Sequence, residues 1–336
     1  MIRSTPSTRS IPFLGGARAA DGRRASHGGA RTAAATVAAA ALAASLIAAC
    51  GGGSGSGGAG GTTLATQSGG GGAAPATPGK PASLDTAEGV IEASLAAQGG
   101  RAQIGQVKAI RQTGTFALPR MGMTGSMLSV AAPPRNTLLL LEIPGVGKIS
   151  QGVSGDVAWE MNPITGARVI SGDERAQLMR ESTFGGDLIW KQLFPKAELA
   201  AAVEFAGQPA YKVVLTAADG DVQTRYYAKD TLLPLGVETV AKTQMGKMPV
   251  TMEMSDWREV GGVKYAHRLQ RKEGPQTIEV TIEKIEIDPQ LAPATFALPP
   301  EIAALPGAKP GSTGAGAGTT APAPAPTTKP TPATKP

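Results

Sequence analysis

The sequence predicts a mainly β protein of the α+β class, with about 10–11 antiparallel strands and a few helices. Between residues 107 and 287, apolar residues recur at every second position in short segments. Gly, Pro and Asp separate these segments, and the gaps leave little room for the crossover helices that parallel strands require. The exception is 171–193, where the apolar spacing is helical. The pattern therefore favours an antiparallel meander that a helical insert divides near its middle.

The strands follow one helix. A helix is predicted over residues 83–98, with Ser83 or Asp85 as its cap and Gly99-Gly100 as its end. The expected strands of the first half cover 107–118, 123–130, 138–141, 148–153 and 157–161. Four consecutive leucines in the third strand, 138–141, predict that this strand is buried on both faces.

The helical insert leads into a second series of strands. Helices are predicted over 171–181 and 188–193, the first with a capping box formed by Ser171 and Glu174. The expected strands of the second half cover 211–216, 222–228, 235–241, 250–255, 263–269 and 278–282. The alternation slips between Ile282 and Ile285, which predicts a β-bulge.

The N-terminal region has the pattern of a secretory signal. Six arginines precede an apolar segment, 33–49, that is mostly alanine. It ends in Leu46-Ile47-Ala48-Ala49-Cys50 and contains the only cysteine of the chain, so no disulfide can form within the chain. This stretch resembles the lipobox of bacterial lipoproteins, which implies that a covalent lipid on Cys50 anchors the mature protein.

Two alternatives remain for this region. Cys50 could be a chance residue after an ordinary signal, or 33–49 could be a membrane anchor. The apolar run is only about 17 residues, which is the lower limit for a spanning helix. Gly51 follows the cysteine, and the lipoprotein resemblance then implies sorting to the outer membrane, with the protein facing the periplasm.

The segments that flank the predicted domain are of low complexity. Residues 50–83 are rich in Gly, Ser and Ala and predict a flexible linker of about 30 Å reach. Residues 306–336 are rich in Pro, Ala and Thr and predict a disordered tail. The domain between them is 84–305, which is long enough for one ordinary hydrophobic core.

Charge excludes a nucleic-acid partner. Ten of the 32 basic residues and one of the 26 acidic residues lie outside 84–305, which leaves 22 basic and 25 acidic residues in the domain. The domain is therefore mildly acidic and lacks the basic surface that phosphate backbones require. We expect a monomer.

The order of elements in 84–305 resembles a LolA/LolB-type fold. Two runs carry a closer resemblance to exported LolA-like bacterial proteins. The first run is Gly147-Lys148-Ile149, Gly152, Gly155, Ala158-Trp159, Asn162-Pro163 and Thr165-Gly166, and the second is Asp256-Trp257-Arg258-Glu259-Val260-Gly261-Gly262-Val263. The resemblance implies a curved, incomplete antiparallel barrel, with helices that plug its open side and a hydrophobic cavity between them.

A ligand cavity is the site that these patterns favour. The domain contains nine methionines, which adapt to varied apolar partners, although they could equally fill a core that is poor in aromatic residues. The candidate cavity residues are Phe116, Met121, Met123, Met127, Leu139, Trp159, Met252, Met254, Tyr265 and His267. Trp159 could instead anchor the core, and His267 could be hydrogen-bonded within it.

The sequence favours binding over catalysis. His267 is the only histidine of the domain, so we expect no His-containing metal site, no Ser-His-Asp triad and no cofactor beyond the lipid on Cys50. The leading hypothesis is a non-catalytic protein that holds a lipid, an acyl chain or the lipid moiety of a lipoprotein. The alternative is an envelope interaction or sensing module that docks a periplasmic protein partner.

Overall fold

The computed structural model describes residues 83–308, which form one antiparallel sheet of fourteen strands and five short α-helices. The strands are β1 (Ile110–Leu118), β2 (Met123–Ala132), β3 (Asn136–Ile143), β4 (Gly147–Ser154), β5 (Val157–Asn162), β6 (Gly166–Val169), β7 (Lys196–Leu199), β8 (Val203–Phe205), β9 (Gln208–Thr216), β10 (Val222–Ala228), β11 (Pro234–Thr243), β12 (Gly246–Val260), β13 (Val263–Glu273) and β14 (Gln276–Ile287). The helices are α1 (Ala87–Ala97), α2 (Gly100–Gln106), α3 (Gly172–Glu181), α4 (Trp190–Leu193) and α5 (Pro300–Ala303).

The predicted mainly β, antiparallel fold is confirmed. The number of strands is fourteen rather than 10–11, because the sequence pattern missed β6, β7 and β8. These strands have only four, four and three residues, too few for an alternation to be recognised.

The first and last strands pair in the middle of the sheet. The strand order is β6-β5-β4-β3-β2-β1-β14-β13-β12-β11-β10-β9-β7, and β8 also pairs with β9. The edge strands β6 and β7 do not pair with each other, so the sheet stays open. Thr113 pairs with Lys284 and Gly114 with Ile282, which leaves Glu283 as the extra residue of a bulge. The predicted slip between Ile282 and Ile285 is confirmed.

Helix α1 begins at a different cap from the one expected. The hydroxyl of Thr86 accepts the backbone N–H of Gly89 at 3.0 Å, so Thr86 is the N-cap. Ser83 and Asp85 hydrogen-bond to each other instead, at 3.0 Å. At the other end, Gly99 has a φ of +129° and stops the helix as expected.

Helix α3 covers part of one face of the sheet, which we call the inner face. Its Leu178 and Met179 pack against Val153, Ala158 and Ile170 in one buried cluster. The helix lies where it was predicted, but the side chain of Ser171 makes no capping hydrogen bond. Glu174 is instead drawn to Arg168, whose guanidinium donates to both its carboxylate oxygens at 2.6 and 2.8 Å.

The outer face is covered near β5 by the end of the described chain. Ala158 and Trp159 are neighbours in β5 and therefore point to opposite faces of the sheet. Trp159 packs with Ile302 of α5 and with Ala308, and both residues are almost fully buried. Strand β5 is thus enclosed between α3 and the segment 298–308.

Several predictions concern residues outside the described range. They are the signal segment 1–49, the lipidation site Cys50, the linker up to residue 82 and the tail from residue 309. Within residues 83–308, no helix has the length and apolar character needed to cross a bilayer.

Candidate ligand-binding cleft

A cleft separates α1 from strands β10–β12 on the inner face of the sheet. Helical spacing of four places Ile91 and Leu95 on the same side of α1. Period-two alternation places Met252 and Met254 on the same face of β12. Together with Val237, which pairs with Met252 across the β11–β12 ladder, these residues form the apolar walls.

The cleft is narrow. Its volume is about 680 Å³ when the space open to solvent is counted, but the centre of a water molecule fits in only about 50 Å³ of it. On that measure one water needs roughly 10–15 Å³, so the enclosed part holds about three to five waters. An alkyl chain can therefore enter only when α1 and the sheet move apart.

Two arginines interrupt an otherwise apolar row of the inner face. The ladder registers align six residues across β9–β14, namely Val213, Arg225, Val237, Met252, Arg271 and Ile278. A buried charge is costly unless it is paired and hydrogen-bonded, so the partners of both arginines decide the electrostatics of the cleft.

Arg225 lines the cleft and is paired. Its Nη1 donates to Oδ1 of Asp187 at 2.7 Å, and its Nε donates to Oε1 of Gln223 at 2.7 Å. Burial alone would lower the pKa of Arg225, but the charge of Asp187 and the hydroxyl of Tyr227 outweigh it and raise the pKa. Arg225 therefore remains a fully charged, fixed cation with its own counter-ion.

Arg271 lies one strand beyond the cleft and is also paired. Its Nε donates to Oε2 of Glu273 at 3.1 Å, and both side chains are only 3% exposed. The other carboxylate oxygen of Glu273, Oε1, is buried without a hydrogen-bond partner among residues 83–308. One carboxylate oxygen of this buried ion pair therefore has no hydrogen bond to offset its loss of hydration.

Glu181 brings a third charged group to the cleft. It is the last residue of α3, and its Oε1 accepts a hydrogen bond from Nε2 of Gln177 at 3.0 Å. Burial raises the pKa of Glu181, although the charge of Arg271 and the hydrogen bond from Gln177 oppose that rise. The carboxyl group is thus the least compensated charge in the lining.

Trp257 contributes an unused donor. Its indole ring lines the cleft, and its Nε1 is buried with no hydrogen-bond acceptor in the described part of the chain. A buried donor without an acceptor costs about 1–3 kcal/mol. A ligand with an acceptor atom at this point would recover that cost.

Helix α1 is held by its buried side, where Val90, Ile91 and Leu95 are at most 2% exposed, and by polar contacts on its solvent side. Arg101 donates two hydrogen bonds to Glu92, at 2.6 and 2.7 Å, and lowers the pKa of that carboxyl. Lys191 of α4 pairs with Glu88, and both side chains are more than half exposed. A single backbone bond, from Lys264 N–H to Gln98 C=O at 2.7 Å, ties the end of the helix to β13.

The ten predicted cavity residues do not gather at one place. Only Met252 and Met254 line the cleft, and Tyr265 and His267 are buried in β13 on the same face of the sheet. Nδ1 of His267 lies 3.1 Å from the carbonyl oxygen of Tyr265. Trp159 packs under the C-terminal segment, on the outer face.

The other predicted cavity residues lie in the first half of the sheet. Leu139 is buried in β3 and lines none of the pockets described here, and Met121 and Met123 are half-buried beside the β1–β2 turn. Phe116 and Met127 each touch one further depression, of about 1650 Å³ and 570 Å³ respectively when the space open to solvent is counted, as for the cleft. Six of the fourteen residues around the larger depression are exposed Thr, Ser and Glu residues, and the other eight are apolar residues or glycines.

Sequence reasoning missed the charged residues of the inner face. Arg271 and Glu273 continue the alternation of Tyr265, His267 and Leu269 without a break, and all five are buried. This unbroken alternation could have revealed them, because it places Arg271 and Glu273 on the buried face of the sheet. Glu181 gave no such signal, since it ends a short helix in which polar residues outnumber apolar ones.

Comparison with known sequences finds no family model that matches the chain. No curated protein matches it either. Solved structures with a similar fold include a DUF1329 family protein from Desulfovibrio piger, which is 16% identical and has a TM-score of 0.45. That match covers 63% of this chain and 98% of the other.

Two further structures are similar at comparable coverage. A LolA superfamily protein from Nitrosomonas europaea is 12% identical, with a TM-score of 0.43 over 63% of this chain and 98% of that one. The lipoprotein LppX from Mycobacterium tuberculosis is 12% identical, with a TM-score of 0.26 over 60% and 95%. The solved structures similar to this chain therefore include a LolA superfamily protein, the type of fold that its sequence resembles, and the likeness concerns the fold alone.

Proposed function

We propose that this protein is a lipid-anchored, periplasm-facing binding protein whose cleft holds a lipid, an acyl chain or the lipid moiety of a lipoprotein. The observation that carries the proposal is the apolar wall of the cleft, which is formed by Ile91, Leu95, Val237, Met252 and Met254. Binding is non-covalent. Burial of the ligand's alkyl chain supplies the free energy, at about 25 cal/mol for each Å² of apolar surface. The two methionines adapt to chains of different shape.

Ligand entry requires α1 to move away from the sheet. The exposed pair between Glu88 and Lys191 contributes at most about 1 kcal/mol, as is usual for surface ion pairs. The Glu92–Arg101 pair is also partly exposed, at 26% and 45%. These ion pairs add little to the cost of displacing α1, and the larger cost is exposure of Val90, Ile91 and Leu95, which are at most 2% exposed. Burial of the alkyl chain against the same side chains would offset that cost.

The anchor is proposed from the sequence alone. A lipid on Cys50 would tether the domain through the linker 50–83, whose reach of about 30 Å keeps the cleft close to the membrane. Stable attachment needs at least two acyl chains, which the lipoprotein resemblance implies. The tether would raise the local concentration of membrane lipids around the cleft.

Docking of a protein partner has less support. An extended peptide adds to a sheet through a free edge strand. The free edges here belong to β6, β7 and β8, which have only four, four and three residues. Short edges of this kind disfavour strand addition.

Filling the cleft should weaken the binding of an alkyl probe. We expect Val237→Trp to weaken the binding of a fluorescent probe with a C12–C16 alkyl chain and an uncharged head group by about tenfold or more, because the indole occupies the space between α1 and β11. The matched control is Val240→Trp, on the same strand but 46% exposed and outside the cleft lining. It should bind the probe like the parent. Fluorescence titration of the full chain carrying Cys50→Ser measures both, without competition from a covalent lipid.

Two results would contradict the proposal. The first is that the parent chain takes up no alkyl probe. The second is that Val237→Trp binds as tightly as Val240→Trp while both unfold at similar urea concentrations.

A further inference from the structure

The charges that line the cleft do not balance. Asp187 and Arg225 neutralise each other at 2.7 Å, but the carboxyl group of Glu181 faces the same space and forms no salt bridge within residues 83–308. Within the part of the chain that the structure describes, it accepts one side-chain hydrogen bond, from the neutral amide of Gln177 at 3.0 Å. The lining therefore carries one carboxylate in excess.

The cations that act on Glu181 already have partners. Arg271 is paired with Glu273 at 3.1 Å. Arg180 is paired with Asp219 at 2.8 Å and also with Asp221. Neither guanidinium is within salt-bridge distance of Glu181, so they stabilise its charge only from further away.

A half-buried carboxyl group that lines an apolar cleft without a close counter-ion is satisfied either by a proton or by a cation. Burial raises the pKa of Glu181, and the charges of Arg271 and Arg180 and the hydrogen bond from Gln177 only oppose that rise. Two aromatic residues, Tyr227 and Trp257, line the same cleft. Aromatic rings attract ammonium groups through their negatively polarised faces, with an effect of about 0.5–2 kcal/mol.

We propose that the cleft selects single-chain amphiphiles with an ammonium head group, which Glu181 binds while the alkyl chain lies between α1 and β12. The inference rests on the proposed function, because it assigns a head group to a chain that must first enter the cleft. An ammonium donates hydrogen bonds and carries charge, whereas a fatty-acid carboxylate would face Glu181 with repulsion. Arg225 does not reverse this preference, because Asp187 already neutralises it.

The test compares three probes that share a C12 chain and differ only in the head group: dodecylamine, dodecanol and dodecanoate. The full chain carrying Cys50→Ser should bind dodecylamine about tenfold or more tightly than dodecanol, with dodecanoate weakest. Isothermal titration below the critical micelle concentration of each probe gives the three affinities. Glu181→Gln keeps the size and the hydrogen-bonding capacity of the side chain and should bring dodecylamine and dodecanol to within about threefold of each other.

The control variant is Glu283→Gln, which removes an exposed carboxylate of β14 outside the cleft lining and should leave the preference unchanged. Equal affinities for dodecylamine and dodecanol in the parent chain would overturn the inference, as would tighter binding of dodecanoate. Retention of the amine preference in Glu181→Gln would overturn it too. If none of the three probes bound, the proposed function itself would fail, so the two failures are distinguishable.

Discussion

Arg271→Met should destabilise the protein by about 3–5 kcal/mol, because it removes one partner of a buried ion pair and leaves the other charged. Glu273 would then be 3% exposed with neither carboxylate oxygen compensated, since its Oε1 already lacks a partner within residues 83–308. Glu181 would lose the cation that most opposes the rise of its pKa. The free energy of unfolding, measured by urea denaturation, should fall by that amount.

The neighbouring residue provides the control. Lys272 forms the same kind of ion pair, with Glu253 at 2.5 Å, but its side chain is 49% exposed. Lys272→Met should therefore cost less than about 1 kcal/mol. The double variant Arg271→Met with Glu273→Leu should recover most of the loss, because two apolar residues replace a costly buried pair. Equal unfolding midpoints for Arg271→Met and Lys272→Met would contradict this account.

Trp159→Ala should have a comparable effect on stability and none on ligand binding. Removal of a buried Trp side chain costs about 3–5 kcal/mol, and Trp159 is 3% exposed between β5 and α5. Its loss should also release the segment 298–308, which we expect to become sensitive to proteases. Urea denaturation and limited proteolysis measure the two effects.

The same variant separates packing from ligand binding. Trp159 lies on the outer face, so the affinity for an alkyl probe should stay within about twofold of the parent under conditions where the variant is folded. Ile164→Ala, at a position 55% exposed in the β5–β6 turn, should cost less than about 0.5 kcal/mol. A large loss of probe binding in Trp159→Ala would contradict this account and would indicate that Trp159 contributes to the ligand site.

The regular part of the fold could be predicted from the sequence, because period-two alternation reports directly which residues face inwards. It placed Met252 and Met254 on one face, and it located the bulge beside Ile282 from a single slip in phase. The caps were harder to predict. Thr86 follows Ser83 and Asp85, which are equally plausible caps, and only the tertiary position of α1 decides among the three.

The candidate site was only partly predictable. Alternation told which residues point inwards, but not which strands α1 covers, so Leu139 and Trp159 were grouped with residues of a distant part of the sheet. A pattern built on apolar residues alone also omits Arg225 and Arg271, although both occupy positions of their strands that face the core. Asp187 and Glu181 reach the cleft from the helical insert, and no local pattern reveals that approach.

The pairing of β1 with β14 at the centre of the sheet has a consequence for synthesis of the chain. All other ladders between strands longer than four residues join neighbours in sequence, so each half can form from local hairpins as it leaves the ribosome. The seam between the halves closes only after residue 287 has emerged, more than 160 residues after β1. Until then the nascent chain carries two inner strands whose backbone N–H and C=O groups are unpaired, and such edges favour aggregation.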